Sequence, residues 1–441
     1  MLEEQHPGRP AGPGQPQRLD IALAGFGTVG QGLARLVHEN RESIRRRTGK
    51  EIRIKSVLIR SEHRRAAVEA IGARAVTDYR ELLDDPDIAV VCELMGGTGF
   101  ARRFLEEAIA AGKHVVTANK ALLAENGMDL FAQAQARGVH LGFEASVAGG
   151  IPVVQPLKEA LAGNRLQSLL GILNGTANYI LTEMTDKGLD FGTALGQAQQ
   201  LGYAEADPTL DIQGIDAAHK LVLLIRLAFG VDYPFAQLPV TGITVVTPMD
   251  IAFAREFGFR IKLLAQARLV DGKVEAGVYP ALVPEGYLLA SVSGAYNAIR
   301  LEGNAGPVVL HGRGAGDMPT GSAVLADVMA TIRHDAPDNL GFVDSRLPEA
   351  EILDLDDAVS EHYVRFIVPD APGVLRDIAG VMADHAISLQ QVIQKSRSDA
   401  GEGIPLVFLT HEAAADAVHK AMRQVEALGL TLGTTMHYRI L

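Results

Sequence analysis

A glycine-rich turn near the start of the chain constrains the fold more than any other feature. Residues 19–24 predict a short buried strand, and the sequence GFGTVG follows at once at residues 25–30. Leu33, Leu36 and Val37 then have the spacing of one helix face. A glycine pattern at a strand-to-helix turn lets backbone amides approach a pyrophosphate. This context favours a dinucleotide-binding domain, and a tight turn without a ligand is the alternative.

Strand and helix patterns alternate after this turn, as is typical of a doubly wound parallel sheet. The predicted elements are strands at 52–59, 88–94, 114–117 and 139–143, with helices at 101–111 and 130–137. Ligands bind at the carboxyl ends of strands in such sheets. Gly96, Thr98 and Lys120 follow two of these strand ends, so we place them in the cofactor site. For Lys120, an ordinary surface lysine is the alternative.

The end of the second strand bears on the choice of cofactor. An NAD site usually has Asp or Glu there, which holds the ribose hydroxyls. This chain has Arg60 instead, which favours the 2′-phosphate of NADP over NAD. The alternative is a solvated basic helix start.

A second glycine-rich turn occupies residues 312–323 and precedes a predicted helix at 324–333. We interpret it as a return crossing beside the cofactor, with Gly316 in the site. A loop whose glycines only allow it to turn is the alternative. Residues 240–246, 261–270 and 273–279 predict strands of one larger sheet between the two glycine-rich turns.

The stretch from residue 201 to residue 220 is the candidate chemical site. It contains Glu205, Asp207, Asp211, Asp216 and Lys220, and an almost wholly apolar helix continues from it. Asp216 and Lys220 are four residues apart and therefore share one helix face. Buried charges of this kind are candidates for function, although a structural ion pair at the start of a core helix fits as well.

Composition excludes several classes of protein. The net charge of −12 over 441 residues argues against a nucleic-acid surface, and no apolar run is long enough to span a membrane. Residues 1–18 are polar and rich in Pro and Gly, which predicts a disordered tail rather than a signal peptide. The single cysteine, Cys92, suits a reducing cytoplasm, and zinc-ligand spacing is absent.

The last eighty or so residues predict a separate unit. Strands at 363–368, 387–394, 406–410 and 437–440 alternate with two helices in the βαββαβ order of a ferredoxin-like fold. Pro337, Pro348 and an acidic run at 354–357 precede this unit and predict a linker.

Together these segments resemble the homoserine dehydrogenase family over essentially everything after the tail. The most specific match runs from Ala198 to Lys220 and contains GYA, DP, DIQG and the final lysine in the spacing of the family signature. GFGTVG, ANK, EASVAGGIP, NGTANYI and the GRGAG turn follow in the expected order. The C-terminal unit resembles an ACT domain, with DAPGVL at 370–375 as its first loop and helix start.

The resemblance implies reversible reduction of L-aspartate 4-semialdehyde to L-homoserine with NAD(P)H. It implies that Lys220 is the catalytic lysine and that Asp211 and Asp216 are carboxylates near the substrate. The implied substrate-binding residues are Thr176, Gly202, Tyr203, Glu205, Asp216 and Lys120. Lys120 matches a lysine between cofactor and substrate. The other candidate cofactor residues come from the turns and strand ends described above and are Gly25, Phe26, Gly27, Thr28, Val29, Gly30, Arg60, Gly96, Thr98 and Gly316.

The resemblance also implies a monovalent-cation site, usually for sodium, formed by Glu144 and the carbonyls of Val147, Gly149 and Ile151. From the residues alone, that small-residue segment fits a plain hinge. An amino-acid effector, most plausibly threonine, is expected at Asp370, Gly373 and Val374 of the ACT unit, with a domain used only for dimerisation as the alternative. A homodimer or homotetramer is expected.

The predicted architecture is α/β and has three domains: a Rossmann-type nucleotide-binding domain, an α+β substrate and dimerisation domain, and a ferredoxin-like ACT domain. The predicted boundaries are 19–145 completed by 312–340, 146–311, a linker at 341–360, and 361–441. Two rival functions remain: an amino-acid sensor without activity, and a semialdehyde dehydrogenase that makes an acyl phosphate. The second rival needs an accessible thiol, and Cys92 lies inside a predicted buried strand.

Overall fold

The computed structural model describes residues 17–334, 339–395 and 403–441. Most of the predicted tail and Pro337 of the predicted linker lie outside these residues. In chain order the strands are β1 Gln17–Ala24, β2 Lys50–Leu58, β3 Arg74–Val76, β4 Ile88–Glu93, β5 His114–Thr117, β6 Leu141–Gly142, β7 Leu166–Ile172, β8 Phe259–Val270, β9 Lys273–Pro284, β10 Tyr296–Gly303, β11 Gly306–Arg313, β12 Ile352–Leu353, β13 Val359–Val368, β14 Leu389–Gln394, β15 Ile404–Thr410, β16 Ala413–Ala414 and β17 Met436–Ile440.

The helices lie between these strands and follow the same order. They are α1 Thr28–Glu39, α2 Arg41–Thr48, α3 Arg65–Ala70, α4 Arg80–Leu83, α5 Gly99–Ala110, α6 Lys120–Arg137, α7 Val154–Lys158, α8 Gly175–Lys187, α9 Phe191–Gln200, α10 Thr209–Ile212, α11 Ile215–Phe229, α12 Pro248–Glu256, α13 Asp317–Arg333, α14 Val374–Asp384 and α15 Ala415–Ala427. Within the residues that the structure describes, no helix is both long and apolar enough to cross a membrane.

The first of two compact units contains the doubly wound sheet. It comprises the described residues up to 122, together with 129–146, 316–334 and 339. Its strand order is β3-β2-β1-β4-β5-β6, and every pair is parallel. This confirms the predicted Rossmann-type fold, in which the strand order reverses beside β1.

Two helices of this unit begin earlier than predicted. The side chain of Asn119 accepts a hydrogen bond from Leu122 N at 3.2 Å, so α6 starts at Lys120 rather than near residue 130. Helix α13 starts at Asp317 rather than Val324, although Pro319 and Gly321 suggest a loop. Pro319 is tolerated because first-turn N–H groups have no intrahelical partner. Gly321 permits close packing, since a Cβ there would lie 2.7 Å from Leu33 N.

The second compact unit is built on an 11-stranded sheet. It comprises residues 123–128, 147–315 and the described residues from 340 onward. The main strand order is β11-β10-β7-β8-β9-β17-β13-β15-β14. The long antiparallel pair β8–β9 lies near the middle, and helices α8 and α11 pack on this sheet. Part of the predicted linker forms β12, which pairs with β9.

The predicted strand at 240–246 is wrong. Val240 makes only a single bridge, to Val278, and the chain then turns away from the sheet. The turn brings Gly242 so close to the end of α10 that a Cβ there would lie 2.2 Å from Ile212 O. Ile243 N donates to the same carbonyl at 2.8 Å, and this contact replaces sheet pairing.

The C-terminal part of this unit confirms the ferredoxin-like prediction. Its elements run β13-α14-β14-β15-α15-β17, with strand order β17-β13-β15-β14 and antiparallel pairs. Side chains of both helices and of β13 and β15 form one apolar core. Strand β17 also pairs with β9, so the two sheets are continuous.

A buried carboxylate reinforces this junction. Asp250, in the first turn of α12, is fully buried and accepts hydrogen bonds from Arg365 Nε at 2.6 Å and from the hydroxyl of Tyr363 at 3.0 Å. The hydroxyl of Tyr438 donates to its other oxygen at 3.4 Å. Because a buried charge is stable only when it is paired, these contacts fix α12 to β13 and β17.

Candidate active site and cofactor-binding turns

The candidate catalytic pair lies at the start of α11. Gly214 precedes the helix with φ +82°, a left-handed conformation that favours glycine. Lys220 Nζ donates to Asp216 Oδ2 at 2.6 Å and to the carbonyl of Leu173 at 2.7 Å. Both side chains are about 90% buried, at 10% exposure each. The sequence-predicted pair therefore exists as a buried ion pair with one further carbonyl contact.

Asn174 connects this pair to the second predicted carboxylate. Its Nδ2 donates to Asp211 Oδ1 at 2.7 Å and to Asp216 Oδ2 at 2.9 Å. Its Oδ1 accepts from Ala177 N at 2.7 Å, which caps α8. Sequence reasoning did not assign Asn174 to the site. The available signal was its place at a strand-to-helix turn, two residues before Thr176.

We call Asn174, Asp211, Asp216 and Lys220 the lysine–carboxylate cluster. The cluster combines two carboxylates with one ammonium, so it can accommodate a second cation such as the ammonium of an amino acid. A lysine at a buried edge can also donate a proton and stabilise a developing negative charge. The cluster thus has the groups for polar recognition and for proton transfer.

Three other predicted substrate residues, Thr176, Gly202 and Tyr203, lie close to one another. Thr176 Oγ1 donates to the carbonyl of Tyr203 at 2.8 Å, and the Tyr203 ring lies 4.9 Å from that of Tyr179. Gly202, with φ +75°, reverses the chain after α9. The Tyr203 and Glu205 side chains are exposed, so the structure brings Thr176, Gly202 and Tyr203 together and leaves Glu205 in a solvent-facing segment.

Two further residues of α11, His219 and Arg226, contact the segment 123–128. Sequence reasoning did not identify these contacts. Arg226 is buried and donates to the carbonyls of Leu123 and Ala124 at 2.6 and 2.9 Å. His219 Nε2 lies 3.1 Å from Glu125 Oε1, and its ring stacks on Phe235. Helix α11 therefore also holds the 123–128 segment through His219 and Arg226.

In the first compact unit, the glycine turn has the geometry of a phosphate cradle. Gly25 has φ +107°, and a Cβ there would lie 2.8 Å from Leu94 O. Gly27 precedes α1 without a side-chain cap and faces open space. Since the first N–H groups of a helix have no internal partner, those of α1 can bind a phosphate. The remaining predicted residues of this turn are Phe26, Thr28, Val29 and Gly30.

A buried glutamate shapes the neighbouring turn at the end of β4. Glu93 Oε1 accepts from Met95 N at 2.8 Å and Gly96 N at 3.0 Å, while Oε2 accepts from Thr117 Oγ1 at 2.7 Å. Asn119 Nδ2 donates to the carbonyl of Gly97 at 2.7 Å. Gly96 and Gly97 both have positive φ, and Thr98 precedes α5. Sequence reasoning did not identify Glu93, because it falls within an apolar strand.

Arg60, Gly316 and Lys120 occupy edge positions in this unit. Arg60 is exposed just after β2, on the same carboxyl edge as the glycine turn. Gly316 has φ +129° and precedes α13. Lys120 is half-buried as the first residue of α6 rather than part of a loop.

Cys92 is fully buried in β4, and burial raises the pKa of its thiol well above the usual range. An inaccessible, protonated thiol is a poor nucleophile. The structure therefore disfavours the rival function that requires a thioester.

The residues predicted to bind a monovalent cation are largely buried. Glu144 is buried and its backbone N–H donates to Asp327 Oδ2 at 2.8 Å. Val147 and Ile151 are buried, and Gly149 adopts φ +54°. Across residues 17–334, 339–395 and 403–441, no group of three His, Cys, Asp or Glu side chains could hold a metal ion.

The predicted effector residues lie at the start of α14. Asp370 is exposed, and Gly373 precedes the helix with φ +97° and no side-chain cap. Val374 is the first helical residue and its side chain is buried. The N–H of Val374 donates to the carbonyl of Ala371 at 3.5 Å, and the N–H groups that follow it in the first turn can donate to a carboxylate.

Comparison with known proteins identifies the three parts of the chain. The NAD-binding domain of homoserine dehydrogenase matches residues 25–144, and the homoserine dehydrogenase family model matches residues 152–329. The ACT domain matches residues 362–429.

Named relatives match over nearly the whole chain. The homoserine dehydrogenase of Neisseria gonorrhoeae is 42% identical over 93% of this chain and 95% of its own length, and that of Pseudomonas aeruginosa is 39% identical over 96% and 98%. A crystal structure of a homoserine dehydrogenase from Thiobacillus denitrificans has a TM-score of 0.90 and 43% identity, and covers 96% of this chain and 98% of that one. A hyperthermophilic archaeal homoserine dehydrogenase in complex with NADPH has a TM-score of 0.61 and 26% identity, over 74% of this chain and all of that one. With these matches to its NAD-binding domain, its catalytic domain and an ACT domain, the chain belongs to the homoserine dehydrogenase family of oxidoreductases.

Proposed function

We propose that the chain interconverts L-aspartate 4-semialdehyde and L-homoserine at the lysine–carboxylate cluster. The observation that carries the proposal is the buried contact of Lys220 Nζ with Asp216 at 2.6 Å, with Asn174 tying Asp216 to Asp211. The family's reaction requires a proton donor and a site for an amino-acid ammonium, and this cluster contains groups suited to both. We therefore assign catalysis to Lys220, Asp211 and Asp216.

The cofactor-binding residues fit a nicotinamide dinucleotide. The glycines at 27, 96 and 97 leave the backbone open, and the first amides of α1 suit a pyrophosphate. When bound, the cofactor supplies or accepts a hydride. Lys220 then donates a proton to the oxygen of the reduced aldehyde, and takes it back in the reverse direction.

The substrate's other groups require further contacts. Glu205 and the cluster carboxylates would bind the ammonium, and Thr176, Gly202 and Tyr203 would line the same site. Lys120 would contact both cofactor and substrate, so a role for it in proton transfer is the competing assignment. We favour Lys220 because its Nζ is already oriented by a carboxylate and a carbonyl.

Replacing Lys220 tests this assignment directly. We expect Lys220→Met to lower kcat for homoserine oxidation by about 10²–10⁴-fold, as for removal of a general acid or base. Binding of NADPH, followed by the fluorescence of its reduced nicotinamide, should stay near wild type. Lys187→Met is the matched control, because Lys187 also pairs with an acid one turn away but is exposed. Near-normal turnover of Lys220→Met would show that the catalytic assignment is wrong.

We extend the proposal to three finer properties. Arg60 at the carboxyl edge of β2 supports a preference for NADP over NAD. Glu144 and the carbonyls of Val147, Gly149 and Ile151 would bind sodium, for which oxygen ligands are suited. A single buried cysteine supports a cytoplasmic location.

We also propose that threonine binds at Asp370, Gly373 and Val374 and inhibits the enzyme. We propose further that the enzyme is a homodimer or homotetramer. The start of α14 supports the threonine assignment, because it has no side-chain cap and the first-turn N–H groups after Val374 can donate to an amino-acid carboxylate. The ACT domain contributes no residue to the lysine–carboxylate cluster, so catalysis alone does not explain its presence.

A further inference from the structure

Asn297, the second residue of β10, buries both polar atoms of its side chain without a partner. Within the described residues, neither Nδ2 nor Oδ1 makes a hydrogen bond, and the residue is fully buried. Ser56, Tyr233 and Thr435 also bury a polar atom in this way, but each leaves only a hydroxyl. An unpaired buried group costs roughly 1–3 kcal/mol, and proteins retain few of them. A side chain that leaves two separate polar atoms unpaired therefore points to a role outside stability.

The amide lies between two glycines of the substrate unit. A Cβ at Gly314 would be 2.2 Å from Asn297 Nδ2, and a Cβ at Gly175 would be 3.4 Å from Oδ1. Neither position tolerates a larger residue, since Gly175 would also place a Cβ 2.8 Å from Ala295 O. The side chain is therefore packed against bare backbone on both sides.

One of those backbones offers a matching donor. Gly175 is the first residue of α8, so its N–H has no intrahelical partner. The capping oxygen of Asn174 is used by Ala177 N, two residues further on. A small shift of Asn297 Oδ1 toward Gly175 N would pair an orphaned acceptor with an uncapped donor.

The other backbone belongs to the segment that carries the predicted cation-binding carbonyls. A Cβ at Gly149 would lie 2.3 Å from Gly314 O, and Gly150 N donates to Arg313 O at 3.1 Å. These contacts place four parts of the chain in consecutive layers, in the order residues 147–151, Gly314, Asn297 and Gly175. The last layer adjoins Asn174, whose side chain holds Asp211 and Asp216.

We propose that Asn297 is a positioning residue that closes onto Gly175 N–H when substrate and cofactor bind. Closure fixes the start of α8 and, through Asn174, the two carboxylates of the cluster. The inference rests on the proposed function of that cluster. The hydrogen bond between Asn297 Oδ1 and Gly175 N–H then belongs to the catalytic state.

Two variants and a matched control test the role. Asn297→Ala and Asn297→Val remove both orphaned atoms and break no hydrogen bond, so we expect no loss of thermal midpoint from lost pairing. We expect kcat for homoserine oxidation to fall about 10- to 100-fold, because small misplacement of catalytic groups has effects of this size. KM for NADP should stay unchanged. Tyr233→Phe is the matched control: it removes the hydroxyl of Tyr233, which is also buried without a partner in the same unit, and it should leave all kinetic constants unchanged.

Hydrogen exchange of the wild-type chain supplies a readout that does not depend on any variant. Peptides spanning residues 172–180 should exchange more slowly once homoserine and NADP are both added, and Asn297→Ala should lose that protection. Wild-type kcat in a folded Asn297 variant, or unchanged exchange in the liganded wild-type chain, would overturn the inference. If Lys220→Met is as active as wild type, the proposed function fails instead, whatever the Asn297 variants do.

Discussion

At the scale of single residues, the amide of Asn174 determines how the two carboxylates of the cluster are arranged. One NH₂ group bridges Asp211 and Asp216, and the oxygen of the same side chain caps a helix. Removing it leaves two carboxylates without a shared donor, and α8 without its cap. The residue therefore connects helix stability to the geometry of the site.

We expect Asn174→Ala to lower kcat/KM for homoserine by roughly 10- to 100-fold through misplacement of the carboxylates. Loss of the cap should also lower the free energy of unfolding by about 1 kcal/mol. Asp190→Ala separates the two effects, because Asp190 caps α9 through Thr193 N at 2.9 Å and has no contact with the cluster. Steady-state kinetics and thermal unfolding of both variants provide the comparison. Equal kcat/KM in wild type and Asn174→Ala would exclude a role beyond capping.

Arg60 provides the test of cofactor preference. Arg60→Asp should shift the ratio of kcat/KM for NADP to that for NAD toward NAD, because a carboxylate repels the 2′-phosphate and can hold ribose hydroxyls. Arg64→Asp, four residues further along the same exposed segment, is the control for a general change in charge. An unchanged ratio in Arg60→Asp would make Arg60 an ordinary surface residue.

The sequence predicted only those contacts of the site that are local. Asp216 and Lys220 are four residues apart on a helix, so their pairing follows from helix geometry. Asn174 donates to two carboxylates that lie 37 and 42 residues further along the sequence, and Asn297 contacts Gly314 because β10 and β11 pack together. No periodicity in the sequence encodes such contacts. Glu93 was missed for the opposite reason, since its apolar neighbours predict only a buried strand.

At the scale of elements, the predictions failed where a capping or packing contact decides a boundary. Asn119 starts α6 ten residues before the apolar pattern indicates a helix, and the contact of Gly242 with Ile212 prevents a strand at 240–246. The order of elements was predictable because it rests on hydrophobic periodicity over many residues. Their ends depend on single polar or steric contacts.

A histidine chain in the ACT domain makes its elements sensitive to acid. The carbonyl of Ala413 lies 3.0 Å from His362 Nε2, so that nitrogen carries the proton, and Nδ1 faces His437 Nε2 at 2.8 Å. The other nitrogen of His437 lies 3.3 Å from His419, which also contacts Asp356 at 3.1 Å. Burial lowers the pKa of His362 to about 4, and that of His437 well below its usual value, with Arg439 also facing both rings.

We therefore expect the thermal midpoint to fall as the pH drops from about 6.5 toward 4. In this pH window His362 is protonated in the unfolded state and neutral in the folded state. Each pH unit therefore lowers the free energy of unfolding by up to about 1.4 kcal/mol. His362→Asn should flatten this dependence, whatever its midpoint at neutral pH. His411→Asn replaces an exposed histidine of the same domain and should keep the wild-type slope. Parallel slopes for His362→Asn and wild type between pH 7 and 4.5 would contradict the assignment.

At the scale of the whole molecule, effector binding is best tested in the full chain. A chain that ends near Leu353 would expose the edge of β9 and leave Asp250 buried without Arg365, Tyr363 and Tyr438. Unpaired buried charges and bare strand edges destabilise a fold, so loss of inhibition in such a chain would be ambiguous.

We expect threonine to inhibit homoserine oxidation by the wild-type chain. Asp370→Ala should raise the half-inhibitory threonine concentration at least about tenfold, which corresponds to about 1.4 kcal/mol of binding free energy. The rate without threonine should not change. Asp384→Ala, at the opposite end of α14, is the matched control. If calorimetry detects no threonine binding to the wild-type chain, the domain has a role other than threonine sensing.

The pairing of β17 with β9 determines what kind of motion can carry such a signal. Two domains joined by a flexible tether can swing independently, but strands in one hydrogen-bonded ladder share a common twist. Only β9 and β8 separate β17 from β7, and β7 leads directly to the Leu173 carbonyl that binds Lys220. A change of twist that an effector imposed on the ACT domain would therefore cross three strand pairs before it reached the carbonyl that accepts from Lys220.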